Sequence, residues 1–314
     1  MGLRRRGSIF PCHLRLLLEL PNVILGKQFA VSSDLTGRAG RSQERQFLTR
    51  FKDTDDFGDR MKAYEAVETA RKLNAHLPIY ARIDGRTFST FTRGMRRPFD
   101  LSMTGAMIET AKYLLHATHA RIGYTQSDEI SLVWLADGPE SDVFFSGKVQ
   151  KMVSVLASMA TAKFVTVIPA EYRDRLPHFD ARVFQLPSKE EAANTFLWRA
   201  MDARKNAISM VAQSRFPAKT LHGKDRAAML AMLADVGVDF EADYPTCLRR
   251  GTFIRWKLTE RLLTDEELAQ IPESRRPTGP VMRAHYAVLE MPPFNKVANR
   301  VGVMFDGEDP VLTD

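Results

Sequence analysis

Acidic residues in two separate segments have the types and spacing to form a metal-dependent catalytic site. Asp84 precedes Gly85 at the end of the predicted strand LPIYARID, and Asp128 and Glu129 lie in a short polar turn between two further predicted strands. Converging carboxylates repel each other unless cations bind, and Mg²⁺ typically takes one or two carboxylates, leaving its other positions to water and substrate phosphates. Such a site suits two-metal nucleotidyl transfer, in which an oxygen attacks a phosphorus atom and pyrophosphate leaves from the opposite side.

Gly85 strengthens this interpretation because its backbone is easily approached. Its carbonyl could add a metal ligand, and the N–H groups of residues 86–89 could face phosphate oxygens. The same residues also have a plainer explanation. An Asp-Gly pair after a strand is commonly a turn, and a polar hairpin tip is commonly solvated surface. The position of the two segments in the fold decides between these alternatives.

The hydrophobic periodicity predicts an α+β fold. After a first helix over 60–74, strands and helices follow in the order β-α-β-β-α-β, and a capping box of Ser188 and Glu191 opens a long helix that ends near residue 213. This is the ferredoxin-like βαββαβ palm of polymerase or cyclase type, here with a helical C-terminal extension. Strand three lies between parallel strands one and two, so Asp84 should meet Asp128 and Glu129 at one sheet edge.

Composition excludes several other classes. The 314 residues include 45 Lys and Arg against 38 Asp and Glu, but the first fifty residues hold nine basic and three acidic side chains, so residues 51–314 are nearly neutral. The two cysteines, Cys12 and Cys247, are far apart and support neither a disulfide framework nor a cysteine zinc site. The apolar stretch at 14–25 is interrupted by charges and a proline, and no membrane span is expected. We expect a cytoplasmic protein, although an Arg-rich leader also suits an organellar transit peptide.

Three sequence blocks occur together in an order typical of one enzyme family: DGR-x-F from residue 84, SDE-x-S from residue 127, and K-x-x-S-x-x-A-S from residue 151. With their surroundings they resemble the tRNA-His guanylyltransferase family over about residues 56–258. Members resemble ordinary polymerases in fold but add nucleotides in the 3′-to-5′ direction to the 5′ end of tRNA. The resemblance implies that ATP or GTP activates the tRNA 5′-monophosphate, and that the 3′-hydroxyl of an incoming nucleotide then attacks it.

The resemblance also implies roles for single residues. Asp84 and Asp128 match metal-binding aspartates, Gly85 a backbone metal ligand, and Glu129 an adjacent catalytic acid, so the implied catalytic residues are Asp84, Asp128 and Glu129. The implied nucleotide-binding residues are Gly85, Arg86, Thr87, Phe88, Ser89, Ser127, Lys148 and Lys151.

Several of these roles have simple alternatives. Lys148 and Lys151 share a helix face and could grip a triphosphate or form a solvated basic face. Phe88 could stack on a base or belong to the core. Arg86 could contact nucleotide or pair with Glu129.

The segment WRAMDARKNAISM at 198–210 matches a further family block but departs from it at one position. Arg204 stands where members devoted to tRNA-His have histidine. This form, with HGK at 222–224 and RRGTFIRWK at 249–257, resembles the bacterial-type "like-protein" branch, which favours template-dependent repair of 5′-truncated tRNAs, with G−1 addition to tRNA-His also open. The implied tRNA-binding residues are Asp202, Arg204, Asn206, Lys224, Arg249 and Arg250, and other basic residues available to tRNA phosphates include Arg199 and Arg255.

These patterns together predict the domain organisation and the partners. Residues 1–55 are expected to be a basic, disordered leader or the result of a misassigned start. Residues 56–187 are expected to form the catalytic palm, 188–292 a tRNA-contacting extension of helices and strands packed on it, and 293–314 a loose acidic tail. The expected cofactors are two Mg²⁺ ions, with ATP and GTP as substrates and tRNA as partner. The resemblance implies a homo-oligomer, specifically a tetramer.

Two other functions remain open at this point. An RNA-independent nucleotidyl cyclase also carries two metal-binding aspartates on a βαββαβ sheet, but it would not need the basic residues of the C-terminal third. A non-catalytic tRNA-binding protein could keep the fold, but it would gain nothing from three acids placed against RNA phosphate.

Overall fold

The structure is a computed structural model and describes residues 54–138 and 140–313. The chain divides into two units, Met1–Met61 and Lys62–Asp314. The predicted leader, apart from its last two residues, lies outside the described residues. Helix α1, Thr54–Thr69, begins in the first unit and ends in the second, five residues before the predicted helix end. Tyr64 and Val67 of this helix are exposed, so core packing does not extend it to the predicted end.

A single antiparallel sheet forms the centre of the second unit. Its strands run in the order β4-β1-β3-β2-β5-β6. The first four have the ferredoxin-like order that the sequence predicts, and β5 and β6 extend the sheet beyond β2. The strands are β1 (Ile79–Arg86), β2 (Ile122–Gln126), β3 (Glu129–Trp134), β4 (His178–Gln185), β5 (Thr252–Arg261) and β6 (Val281–Val288).

Three long helices, at residues 101–118, 149–167 and 189–215, pack against this sheet, and shorter helices lie between and after them. None of the helices in the described part of the chain combines the length and the apolar character needed to cross a bilayer. After α1 the helices are α2 (Phe88–Phe91), α3 (Leu101–Thr118), α4 (Val149–Val167), α5 (Ala170–Arg173), α6 (Lys189–Arg215), α7 (Ala218–Leu221), α8 (Arg226–Asp235), α9 (Phe240–Asp243), α10 (Thr246–Arg250) and α11 (Asp265–Ala269).

Capping residues fix where two of the long helices begin. The Asp100 carboxylate accepts hydrogen bonds from the N–H groups of Ser102 and Met103 at the start of α3. The Ser188 hydroxyl accepts one from the N–H of Glu191 at the start of α6, as predicted. The reciprocal half of the predicted capping box does not form, because the Glu191 carboxylate accepts from the side-chain amide of Asn194 instead.

The two faces of the sheet have different partners. Ile79, Ala81 and Ile83 of β1 point into the core beneath α3 and α4, whereas Tyr80 joins Phe196 of α6 in a second apolar cluster. Side chains alternate along a strand. Asp84, an even-numbered position like Tyr80, therefore lies on the α6 face at the end of β1.

The C-terminal segment is packed, and the prediction of a loose tail is wrong. A short 3-10 turn, Phe294–Lys296, and a π-helical turn, Gly302–Asp306, bring Phe294, Val297 and Met304 into the same cluster as Phe196. The segment is acidic as predicted, but its apolar residues fill the α6 face of the sheet. The extension at 188–292 contains both helices and strands, as predicted, with a third apolar cluster between α6 and α8.

Candidate active site

The two acidic segments meet at one edge of the sheet, as the strand order predicts. Asp84 lies opposite Glu129 in the register of β1 and β3, and the N–H of Gly85 donates to the carbonyl of Asp128 at 3.0 Å. Ser127 has the left-handed φ of 49° that a tight hairpin turn requires. Backbone pairing and turn geometry thus hold Asp84 and Asp128 side by side, although 44 residues separate them in sequence.

The carboxylates of Asp84 and Asp128 lie close together, and both have a raised pKa. Burial and the charge of Asp84, opposed by a hydrogen bond from Ser127, together raise the pKa of Asp128 to about 6. Burial and then the charge of Asp180 raise the pKa of Asp84, and the charges of Arg82, Arg182 and Arg199 lower it in part. Asp180 of β4 lies directly opposite Asp84 in the sheet and was missed in the sequence, since only the pairing of β4 with β1 brings it there. A bound cation would relieve this repulsion.

Glu129 differs from its two acidic neighbours because it has a cationic partner. Both of its carboxylate oxygens accept hydrogen bonds from the Arg199 guanidinium at 2.7 Å, and both side chains are buried. Burial raises the pKa of Glu129 and the arginine lowers it. Glu129 therefore does not pair with Arg86, and Arg199 is not free for tRNA phosphate as the sequence suggested.

A cavity of about 510 Å³ opens over these residues. Asp84, Asp128, Glu129 and Arg199 line it, and residues of α6 and α10 form its opposite wall. A neighbouring cavity of about 330 Å³ shares Ser127 and Asp128 with it and is lined by Ser89, Arg96 and Arg97. The two arginines were missed in the sequence analysis because they precede Pro98 in a segment that matches no quoted motif. Together the cavities offer an acidic centre beside a basic wall.

Metal-binding residues in this cavity are few. No group of three or more His, Cys, Asp or Glu side chains is arranged to hold a metal ion within the part of the chain that the structure describes. Mg²⁺ does not need such a cage, because one or two carboxylates suffice when water and substrate phosphates complete its coordination. Asp84 and Asp128, with the carbonyl of Gly85, form a donor set of that kind.

Comparison with known proteins identifies the family. The family model described as tRNAHis guanylyltransferase matches residues 58–187. A bacterial tRNA(His) guanylyltransferase-like protein, solved in complex with ATP, is 37% identical, and the match covers 76% of this chain and 95% of that one with a TM-score of 0.64. The chain belongs to the tRNAHis guanylyltransferase family. It is therefore a nucleotidyltransferase of this type.

More distant members agree with this assignment. The probable tRNA(His) guanylyltransferase of Homo sapiens is 23% identical over 224 residues, which is 66% of this chain and 72% of the human protein. The enzyme of Saccharomyces cerevisiae is 20% identical and shares the fold with a TM-score of 0.53 over 61% of this chain and 91% of that one. The higher identity to the bacterial protein agrees with the predicted like-protein branch.

The loop that carries the first family block is shaped by Gly85 and Phe88. A Cβ atom on Gly85 would lie 2.4 Å from the Phe88 ring, so any side chain at 85 would displace that ring. Phe88 is 3% exposed and packs against Phe91, Phe164 and Phe179. Of the two alternatives for Phe88, the ring belongs to the core and does not stack on a base.

Lys148 and Lys151 of this guanylyltransferase-family chain lie far from Asp84. The N–H of Leu73, which precedes β1, donates to the carbonyl of Gly147, and the start of α4 thus lies beside the start of β1. Asp84 is at the other end of that strand, roughly 17 Å away at about 3.4 Å per residue. The topology is the cause, because β3 runs away from the site before α4 returns. The prediction that these lysines grip the triphosphate is wrong for the site of their own chain.

The predicted tRNA-binding residues of the family block form a second polar group on α6 and its neighbours. Asp202 contacts Arg199 at 3.4 Å and Asn206 at 3.3 Å. Glu241 of α9 pairs with Arg204 at 2.5 Å and with Arg250 at 2.9 Å, and it also contacts Arg249. One carboxylate thus forms ion pairs with three arginines, which leaves an excess of positive charge.

Two other basic residues differ in exposure. Lys224 is exposed between α7 and α8. Arg255 is buried and donates to the carbonyls of Val303 and Glu308, so it holds the C-terminal segment and is not available to tRNA phosphate as the sequence suggested.

Proposed function

We propose that this protein adds nucleotides in the 3′-to-5′ direction to the 5′ end of tRNA. The reaction would fill truncated 5′ ends against the opposite strand, with G−1 addition to tRNA-His as the related activity. The observation that carries the proposal is the pair of carboxylates, Asp84 and Asp128, held side by side in a cavity next to Arg96 and Arg97. Similarity to a bacterial relative solved with ATP supports nucleoside triphosphates as substrates.

The proposed cofactor is Mg²⁺, two ions per site. The ions would be held by Asp84, Asp128 and the Gly85 carbonyl. When bound, Mg²⁺ supplies positive charge that favours the attacking oxyanion and the leaving phosphate. Glu129 is not in the proposed donor set, because Arg199 occupies both of its oxygens.

The chain's own residues bind and orient the two nucleotides. In the first step an oxygen of the tRNA 5′-monophosphate attacks the α-phosphorus of ATP or GTP and pyrophosphate leaves. In the second step the 3′-hydroxyl of the incoming nucleotide attacks the 5′-phosphorus of the activated tRNA and AMP or GMP leaves. Arg96 and Arg97 would attract the phosphates, and the Ser127 and Ser89 hydroxyls would orient them.

The test uses a tRNA that lacks its 5′ nucleotide, beside intact tRNA-His, with Mg²⁺, ATP and labelled nucleotides. We expect Asp128→Asn to lower nucleotide addition by about two orders of magnitude, as loss of an electrostatic catalytic group does. Asp235→Asn is the matched control. Asp235 is an exposed aspartate at the end of α8 and lines none of the cavities described above, so we expect full activity.

The products distinguish the alternatives. Addition of the complementary nucleotide to the truncated end establishes repair, whereas G added to tRNA-His alone establishes a dedicated guanylyltransferase. Cyclised nucleotide formed without RNA would support the cyclase function instead. RNA binding that persists with no nucleotide consumed would support a non-catalytic tRNA-binding protein.

A further inference from the structure

A third cavity, of about 700 Å³, lies on the side of α6 that faces away from the acidic site. We call it the α6–α8 cavity. Helices α6, α8 and α10 and the segment at 291–296 line it. Trp198 and Met201 of α6 are 54% and 60% exposed, and Leu230 of α8 lies across from them. Large apolar side chains thus remain open to solvent at this place.

The α6–α8 cavity is rimmed by positive charge. Asp202 is the only carboxylate among its lining residues in the described part of the chain, and Arg199 contacts it. The five basic lining residues are Arg204, Lys205, Arg226, Arg250 and Lys296.

These cations are not all neutralised by neighbouring acids. Lys205, Arg226 and Lys296 have no ion-pair partner among residues 54–138 and 140–313. Arg204 and Arg250 share the single carboxylate of Glu241 with a third arginine. The rim therefore complements a ligand that carries several separated negative charges.

The α6–α8 cavity and the acidic cavity are neighbours. Gly251 lines both, and α6 separates them. The Arg199 guanidinium, which holds Glu129 in the acidic cavity, also lies 4.6 Å from the centre of the Trp198 ring. A ligand that rests on Trp198 would be separated from Glu129 of the acidic cavity by one side chain, that of Arg199.

We propose that the α6–α8 cavity binds a nucleotide of an unpaired RNA strand next to the 5′ end that reacts. The inference rests on the proposed function, because tRNA carries an unpaired 3′ strand beside its 5′ end. Trp198 and Met201 contact the base, and Arg226 and Lys296, which come from separate elements, contact successive phosphates. A free nucleoside triphosphate fits less well, because its charges are concentrated and the cavity has no carboxylate pair for the accompanying Mg²⁺.

The test measures binding of a fluorescent RNA tetranucleotide to the full chain in EDTA. EDTA removes divalent cations, so the proposed metal site does not contribute to the binding. We expect Arg226→Glu/Lys296→Glu to weaken binding by about tenfold or more at low salt. The control is Lys257→Glu/Arg283→Glu, the same change of four charge units at exposed residues of β5 and β6 outside all three cavities, and we expect it to change binding by about twofold or less. An abasic tetranucleotide should bind about fivefold or more weakly, since stacking contributes per base.

Several results would overturn the inference. One is unchanged RNA binding by Arg226→Glu/Lys296→Glu when its thermal unfolding is intact, and another is an equal loss of binding in Lys257→Glu/Arg283→Glu. The others are equal binding of the abasic RNA and displacement of the RNA by equimolar ATP. The last result would assign the cavity to free nucleotide. The proposed function is tested separately by extension of truncated tRNA. Binding without extension would overturn only the function, and extension without binding would overturn only the assignment of this cavity.

Discussion

At the scale of single residues, Arg199 is more informative than its sequence position suggests. Its guanidinium donates to both oxygens of Glu129, contacts Asp202, and lies over the Trp198 ring. The Glu129–Arg199 pair is buried and links β3 to α6. Its contribution is positional, since it fixes Glu129 and the helix that forms the wall of the acidic cavity.

We therefore expect Arg199→Ala to be strongly destabilising. It leaves the Glu129 carboxylate buried and unpaired, which costs about 3 kcal/mol or more of the free energy of unfolding. Urea denaturation at neutral pH measures the loss. The double variant Glu129→Leu/Arg199→Met removes both charges and should recover most of the stability, because a well-packed apolar pair often replaces a buried ion pair without loss. Equal instability of the single and double variants would contradict this account.

At the scale of elements, the turn from β1 into α2 depends on a glycine for a steric reason. Gly85 makes room for the Phe88 ring, and Thr87 follows with a φ of 53°, in the left-handed region. Phe88 then joins the aromatic cluster beneath α4. The Phe88 side chain thus fixes the catalytic loop to the core.

Two glycine substitutions should have opposite effects. Gly85→Ala should lower thermal stability and nucleotide addition together, because the new Cβ displaces Phe88 and with it the backbone beside Asp84. Gly105→Ala, in α3 with nothing within 4 Å of a Cβ, should raise the free energy of unfolding by up to about 1 kcal/mol and leave activity unchanged. Calorimetry measures the stability of both variants, and the tRNA extension assay measures their activity. A stable, active Gly85→Ala variant would argue against a steric role.

The elements also separate what the sequence can predict from what it cannot. Periodicity and the βαββαβ order predict that Asp84 and Asp128 meet, because strand direction alone places both at one edge. The Glu129–Arg199 contact spans 70 residues and depends on the rotation of α6 about its axis, which periodicity does not define. Residues 293–314 contain apolar residues whose packing onto the sheet was hidden by the acidic composition.

Lys148 marks a different kind of error. The predicted topology already places the start of the helix after β3 at the far edge of the sheet. The family resemblance gave the lysine a nucleotide-binding role that this position does not allow within one chain.

At the scale of the whole molecule, the position of Lys148 and Lys151 bears on assembly. The resemblance implies both a triphosphate role for these lysines and a homo-oligomer, and the fold separates them from Asp84 and Asp128 of the same chain. Both implications can hold only if the lysines of one copy reach the site of another. We propose this arrangement for the assembled protein.

Complementation between two inactive chains tests this arrangement. We expect Lys148→Ala/Lys151→Ala and Asp128→Asn each to lose nucleotide addition when expressed alone. Co-expressed with different tags and purified on both, they should regain activity, because some sites then combine intact acids from one chain with intact lysines from the other. Activity of the lysine variant alone would show that the lysines have no role in nucleotide binding. An inactive mixed assembly would mean that the lysines act within their own chain, and the fold would then have to bring α4 and the end of β1 together.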